Sequence, residues 1–173
     1  EKYLGFSTYK VDDYLKVKLS SLKYIFLNND LENLNIKINQ KNLYNLELQR
    51  QKKIEGTSEN FNLYSIGTLN YNKEDYPIKL RVKGDRVLHW YDKNQTSYRI
   101  DLRGNDRIWG LEEFSVQKPI TRNYIYEYIF HKLLDANNLI GLKYFFVNLN
   151  LNDTSQGIYA VEEGFSKELI ERN

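Results

Sequence analysis

The fold is decided by one stretch of sequence, Tyr76-Pro77-Ile78-Lys79-Leu80-Arg81-Val82-Lys83-Gly84-Asp85. Apolar and polar residues alternate along it, as they do in a half-buried β-strand, and Gly84 then marks a turn. Short connections favour antiparallel neighbours, so we predict a largely antiparallel sheet. The same period of two begins at Asn62 and predicts six strands, namely Leu63–Leu69, Tyr76–Lys83, Thr96–Leu102, Phe114–Gln117, Leu142–Leu149 and Gly157–Glu162.

Segments whose apolar residues follow helical spacing precede, interrupt and follow these strands. Residues 12–27 are predicted to form an amphipathic helix that precedes the rest of the fold. A strand over Leu34–Ile38 then runs into a helix that begins at a cap, Asn39 or Asn42, and stops near Gly56. Further helices are predicted after Pro119, closing at Asn137, and from Ser166 to Ile170. The predicted class is α+β, a mostly antiparallel sheet with flanking helices, with residues 1–32 as an N-terminal helix and linker and residues 33–173 as the main folded region.

Composition excludes several classes of function. Lys and Arg total 25 against 23 Asp and Glu, and the net charge of +2 gives no electrostatic reason to expect a nucleic-acid partner. No apolar run approaches the roughly 18 to 20 residues of a membrane span, so we expect membrane association only through segments outside this chain. The absence of Cys excludes disulfides, thiolate chemistry and Cys-based zinc sites. Because the chain also lacks Met, Glu1 is interpreted as the start of a trimmed piece.

Most catalytic templates are missing from the sequence. His89 and His131 are the only histidines, and neither lies at metal-ligand spacing from a carboxylate pair, which argues against a His-based metal site or a Ser-His-Asp triad. We interpret His131 as a residue of the helix surface or the edge of the core. There is no GxxxxGK[ST] phosphate loop and no GxGxxG after a strand.

Four segments follow one another in an order typical of a known family. They are Lys83-Gly-Asp85, Gln95-Thr-Ser-Tyr-Arg-Ile100, the strand to Gln117 that leads to Arg122-Asn-Tyr-Ile-Tyr-Glu127, and Gly157-Ile-Tyr-Ala-Val-Glu-Glu163. Over residues 33–173 this order resembles the CotH family of spore-coat protein H-like atypical protein kinases. The family has Arg-Gly-Asn, Lys-Lys-Ser-Tyr-Arg-Ile, an Arg-started helix and Gly-Val-Tyr followed by Glu in these places.

This chain departs from the family pattern at the basic positions. Lys83 stands in place of the arginine, and Gln95 with Thr96 stands in place of the paired lysines. The basic side chain that contacts phosphate in the family is therefore expected at Lys93 or Arg99 in this chain, or has been lost. A second tripeptide, Arg103-Gly-Asn105, imitates the family motif but follows the Ser-Tyr-Arg strand, and we interpret it as a hairpin turn.

The resemblance implies the N-terminal, nucleotide-binding lobe of an atypical protein kinase. In such a lobe the turn at Gly84 would approach phosphates, and an acid on the helix would orient a strand cation, for which we pair Arg99 or Lys93 with Glu127. The implied cofactors are ATP and magnesium. The catalytic base and the metal-binding acids belong to the C-terminal lobe, so no catalytic residue and no metal ligand is expected in this chain. The implied cofactor-binding residues are Lys83, Gly84, Asp85, Lys93, Arg99, Arg122, Glu127 and Glu163.

Three functional hypotheses stay open at this point. The chain is either part of a CotH-like kinase that phosphorylates Ser or Thr of a protein substrate when complete, or a pseudokinase or surface interaction module of the same fold that binds a protein partner without catalysis. A third hypothesis is a free-standing α+β scaffold that converges on the pattern. Taken alone, the chain is expected to be inactive as an enzyme. Its compartment stays open, with a cell-surface or extracytoplasmic location favoured.

Overall fold

The computed structural model describes residues 31–56, 64–165 and Leu169. From Glu32 onward the described residues belong to one compact unit. The helix predicted over residues 12–27 lies outside the described residues, as does all of the helix predicted from Ser166 to Ile170 except Leu169. Within the described part of the chain, no helix is both long enough and apolar enough to cross a lipid bilayer.

The described strands form one closed barrel. The strand order is β1-β2-β3-β4-β5-β7-β6, and β6 returns to pair with β1. Neighbouring strands are antiparallel except for β1 and β6, which run parallel. The predicted α+β class and largely antiparallel sheet are confirmed, whereas closure into a barrel was not predicted. The strands are β1 (Asn33–Lys37), β2 (Ser65–Tyr71), β3 (Glu74–Val82), β4 (Tyr98–Leu102), β5 (Glu113–Gln117), β6 (Tyr144–Leu151) and β7 (Thr154–Glu163).

The first described helix, α1 (Gln40–Ile54), confirms its sequence signals. Asn39 is the N-cap, and its side-chain oxygen accepts a hydrogen bond from the backbone N–H of Asn42 at 2.9 Å. The helix lies across the end of β3, where the Gln49 side-chain oxygen accepts a hydrogen bond from the backbone N–H of Val82 at 3.0 Å. Gln49 is buried, and α1 therefore satisfies a backbone donor that the end of the strand would otherwise leave unpaired.

The second described helix, α2 (Tyr126–Ala136), begins later than its apolar spacing predicts. Pro119–Arg122 forms a 3₁₀ turn, and Asn123 and Tyr124 then adopt positive φ angles of 52° and 62°, which end that turn before α2 starts. His131 is buried rather than at the surface, and its Nδ1 accepts a hydrogen bond from the backbone N–H of Leu142 at 3.1 Å. Several apolar residues that predicted this helix are instead exposed, namely Ile125, Ile129 and Leu133.

The barrel interior is filled by alternate residues of the strands. Apolar side chains at every second position point inward, as a period of two requires. The next residue along each strand faces outward, and this alternation positions the polar residues described below. The fully buried interior residues include Leu34, Ile36, Ile78, Leu80, Val82, Ile100, Val116, Val147, Leu149, Tyr159 and Val161.

Candidate functional site

Four polar side chains from distant parts of the chain meet on the outer face of the barrel. Lys83, Gln117 and Glu162 each follow a buried core valine directly, so they point to the opposite side of their strands. Arg122 joins them from the end of the 3₁₀ turn Pro119–Arg122. We call these four residues the Glu162 cluster.

Hydrogen bonds connect every member of the Glu162 cluster. Lys83 Nζ donates to Glu162 Oε1 at 2.9 Å and to Gln117 Oε1 at 3.1 Å. Gln117 Nε2 donates to the other carboxylate oxygen of Glu162, which Arg122 Nε also approaches at 3.4 Å. One carboxylate therefore serves two cations, and the cluster carries one excess positive charge when all three groups are ionised.

The cluster is largely shielded from solvent. Gln117 is fully buried, and the side chains of Lys83, Glu162 and Arg122 are 16%, 13% and 29% exposed. Burial pushes the pKa of Glu162 upward, but the charges of Lys83 and Arg122 and the hydrogen bonds outweigh it, so the pKa lies below its ordinary value. Burial also lowers the pKa of Lys83, an effect that Glu162 partly offsets. Glu162 is consequently ionised at neutral pH.

The turn at Gly84 is covered by the ring of His89. Gly84 has a φ angle of 81°, and a Cβ atom at this position would lie 2.5 Å from His89 Cδ2. His89 lies in the 3₁₀ turn Val87–His89, and its backbone oxygen accepts a hydrogen bond from the N–H of Ser97 at 2.7 Å. The Gly84 oxygen accepts a hydrogen bond from Lys53 Nζ at 2.8 Å. The glycine thus permits close packing of this turn against an imidazole ring.

Two of the predicted site residues, Lys83 and Arg122, belong to the Glu162 cluster, and Gly84 adjoins it. The backbone N–H of Lys83 also donates to the oxygen of Ser97 at 2.8 Å. Since Ser97 belongs to the second of the four resembling segments, all four segments meet in this region. Asp85 is exposed beside the turn.

The predicted pairing of Arg99 or Lys93 with Glu127 is wrong. Arg99 forms an ion pair with Glu113 on the neighbouring strand, and its Nε lies 3.8 Å from Asp101. Glu127 lies 3.5 Å from His131 Nε2, one helical turn away. Glu127 therefore pairs with neither of the two predicted cations, whereas Glu162 on β7 pairs with Lys83 and Arg122.

The remaining predicted residues, Lys93 and Glu163, lie apart from the cluster. Lys93 is exposed in the 3₁₀ turn Lys93–Gln95, beside α1. Glu163 is buried, and its Oε2 accepts a hydrogen bond from the backbone N–H of Lys143 at 2.8 Å. This contact joins the end of β7 to the residue before β6, which is a structural role.

Sequence reasoning missed Gln117, Glu162 and His89 as site residues. A signal for the first two was present, because each is a polar residue directly after a core valine near the end of a strand. His89 gave no such signal, since its burial depends on the packing of a 3₁₀ turn over Gly84.

We expect His89 to make the stability of the protein depend on pH. Burial, followed by the charges of Lys83 and Arg122, lowers the pKa of His89 from 6.5 to about 4. The unfolded chain therefore takes up a proton near pH 6.5 while the folded chain does not. For this group, the free energy of unfolding is constant above about pH 6.5, falls as the pH drops toward 4, and levels off below, with a total of up to about 3 kcal/mol.

Urea unfolding at pH 7 and at pH 4.5 tests this expectation. In His89→Gln the loss of stability between the two pH values should be smaller than in the original protein by about 2 kcal/mol, because the titrating group is gone. Equal losses in both proteins would contradict the assignment of the effect to His89.

No group of three or more His, Cys, Asp or Glu side chains within the described residues is arranged to hold a metal ion.

No protein-family model matches the chain, and no curated protein matches its sequence.

Proposed function

We propose that this chain is the nucleotide-binding lobe of a CotH-like protein kinase, in which the Glu162 cluster receives phosphate groups of ATP. The observation that carries the proposal is the hydrogen-bond network formed by the Glu162 cluster, that is, by Lys83, Gln117, Arg122 and Glu162. These residues come from three of the four segments that resemble the family, and Ser97 of the remaining segment bonds to the Lys83 backbone.

The unused hydrogen-bond donors of the cluster suit an anionic ligand. A lysine ammonium has three donors, and Lys83 uses two of them on Glu162 and Gln117. Arg122 directs only its Nε toward Glu162 among the described residues, which leaves its terminal nitrogens available. The excess positive charge and these donors favour phosphate oxygens, and the carboxylate holds both cations in place.

The rest of the proposed activity depends on residues outside this chain. By the resemblance, the base that accepts a substrate hydroxyl proton and the acids that hold magnesium belong to a C-terminal lobe. Together the two lobes would transfer a phosphoryl group from ATP to a protein Ser or Thr. The role of this chain is to bind and orient the nucleotide.

A protein-binding module without catalysis is the second candidate function. A stripe of large apolar side chains on α2 supports it, because Tyr126, Ile129, Phe130 and Leu133 are 70%, 44%, 54% and 57% exposed. Contiguous apolar surface of this kind is typical of protein interfaces. A pseudokinase of the same fold would use such a surface to recognise a protein partner.

Calorimetric titration with ATP, with and without Mg²⁺, tests the nucleotide proposal on this chain and on the full-length gene product. Lys83→Gln and Arg122→Gln should each weaken ATP binding at least about 10-fold, because each removes a charge-assisted hydrogen bond. The matched control is Arg107→Gln, which removes a cation from the exposed Arg107–Glu112 pair and should leave the affinity unchanged. A full-length protein that binds no ATP would favour the interaction module, and unchanged affinity in both cluster variants would overturn the proposed site.

A further inference from the structure

A cleft of about 350 Å³ opens between α1 and the 3₁₀ turn Lys93–Gln95, and none of its lining residues belongs to the Glu162 cluster. Its volume lies at the lower end of the range of small-molecule sites, about 300 to 1,000 Å³. Leu46 and Tyr98 lie at its base and are buried. Neither the cleft nor Lys93, an exposed cation of its lining, has a part in the function proposed above.

The two walls of the cleft are fixed relative to each other by Arg50 of α1. Arg50 Nη1 donates to the backbone oxygens of Trp90 and Tyr91 at 3.2 and 3.1 Å. Its Nε and Nη2 donate to Glu47 at 3.0 and 2.8 Å. The helix is thereby tied to the loop that leads to Lys93, and a ligand would meet a preformed site that costs little ordering entropy.

The charged side chains that line the cleft, Glu47, Arg50 and Lys93, carry one excess positive charge. Arg50 neutralises Glu47, and its hydrogen bond is the main reason why the pKa of Glu47 is lowered, with a smaller contribution from Lys93. Among the described residues, the Lys93 side chain forms neither an ion pair nor a hydrogen bond. The cleft therefore favours a ligand with one negative charge.

The uncharged lining combines an aromatic face with amide groups. Leu43 and Tyr44 both line the cleft and are 37% and 67% exposed, so the cleft presents apolar surface to solvent. Gln40 and Asn94 contribute side-chain amides, which both donate and accept hydrogen bonds. A pyranose ring offers the matching chemistry, because its C–H face packs on an aromatic ring while its hydroxyls pair with amides.

We propose that this cleft binds a hexuronic acid sugar, with the ring against Tyr44 and the carboxylate at Lys93. The carboxylate distinguishes this ligand from neutral sugars, and the hydroxyls distinguish it from simple carboxylic acids. The site shares no residue with the Glu162 cluster, so each of the two proposals can be tested independently of the other.

Titration of the isotope-labelled protein with sodium glucuronate, followed by NMR, tests this site. Saturable shifts are expected at residues 40–47 and 93–96, and glucose should bind at least about 5-fold more weakly because it lacks the charge. Lys93→Gln should weaken glucuronate binding by about 10-fold, and Tyr44→Ala should abolish saturation. Both positions are exposed, so neither variant is expected to unfold the protein.

The matched control is Lys41→Gln, which removes an exposed cation of α1 that does not line the cleft, and it should leave glucuronate binding unchanged. The Lys83→Gln variant should also bind glucuronate normally, which separates this site from the nucleotide site. Equal affinity for glucose and glucuronate, or shifts that do not saturate, would overturn the proposal. Tighter binding of AMP than of glucuronate in the same cleft would also overturn it.

Discussion

Replacing Glu162 by glutamine is expected to destabilise the protein by about 2–4 kcal/mol. The carboxylate balances Lys83 and Arg122, both of which are largely shielded from water. Glutamine preserves the size of the side chain but removes the charge, so two cations would remain with no counterion. The expected loss lies slightly below that of a fully buried pair because Arg122 is 29% exposed. Urea unfolding followed by fluorescence of the two tryptophans measures it.

Glu112→Gln provides a matched control for this substitution. Glu112 pairs with Arg107, and the two side chains are 43% and 52% exposed, so the same chemical change should cost less than about 0.5 kcal/mol there. A double-mutant cycle with Lys83→Met should give a coupling energy of at least about 1 kcal/mol, because the two side chains act as one pair. Similar losses of stability in Glu162→Gln and Glu112→Gln would show that burial does not increase the contribution of the Glu162 carboxylate to stability.

The strands could be predicted from the sequence because their signal is local. The six strands predicted from Asn62 onward by alternation at a period of two correspond to β2–β7. The strand predicted at Leu34–Ile38 corresponds to β1. Closure of the barrel could not be predicted in the same way. It depends on the parallel pairing of Asn33–Ile36 with Asn148–Leu151, and residues more than a hundred positions apart leave no shared pattern in a single sequence.

The basic half of the candidate site could be predicted, whereas its acid could not. Lys83 and Arg122 were chosen from the resembling segments, and Glu127 was chosen as the acid because it lies on the predicted helix. The positive φ angles of Asn123 and Tyr124 delay the start of α2. Within α2, Glu127 faces His131 one turn later, and Arg99 pairs with Glu113 instead. Non-glycine residues in this conformation are uncommon and have no clear sequence signature, so the late start of the helix could not be foreseen.

Gly84→Ala is expected to destabilise the protein by about 2–4 kcal/mol. Part of the loss comes from the φ angle of 81°, which disfavours any residue with a Cβ atom, and the larger part comes from the 2.5 Å approach to His89 Cδ2. The imidazole cannot move aside easily because it is buried within a 3₁₀ turn. Chemical unfolding of the variant measures the combined loss.

Gly104→Ala separates the two contributions. Gly104 has a nearly identical φ angle of 84°, but a Cβ atom there would meet nothing within 4 Å, so its loss should be only about 1 kcal/mol. Equal losses at the two glycines would contradict the steric argument. The comparison also bears on function, because a glycine that served only to bring backbone N–H groups to phosphate would lose ATP affinity on substitution without losing more stability than Gly104. A larger loss of stability at Gly84 therefore identifies it as a packing residue beneath His89.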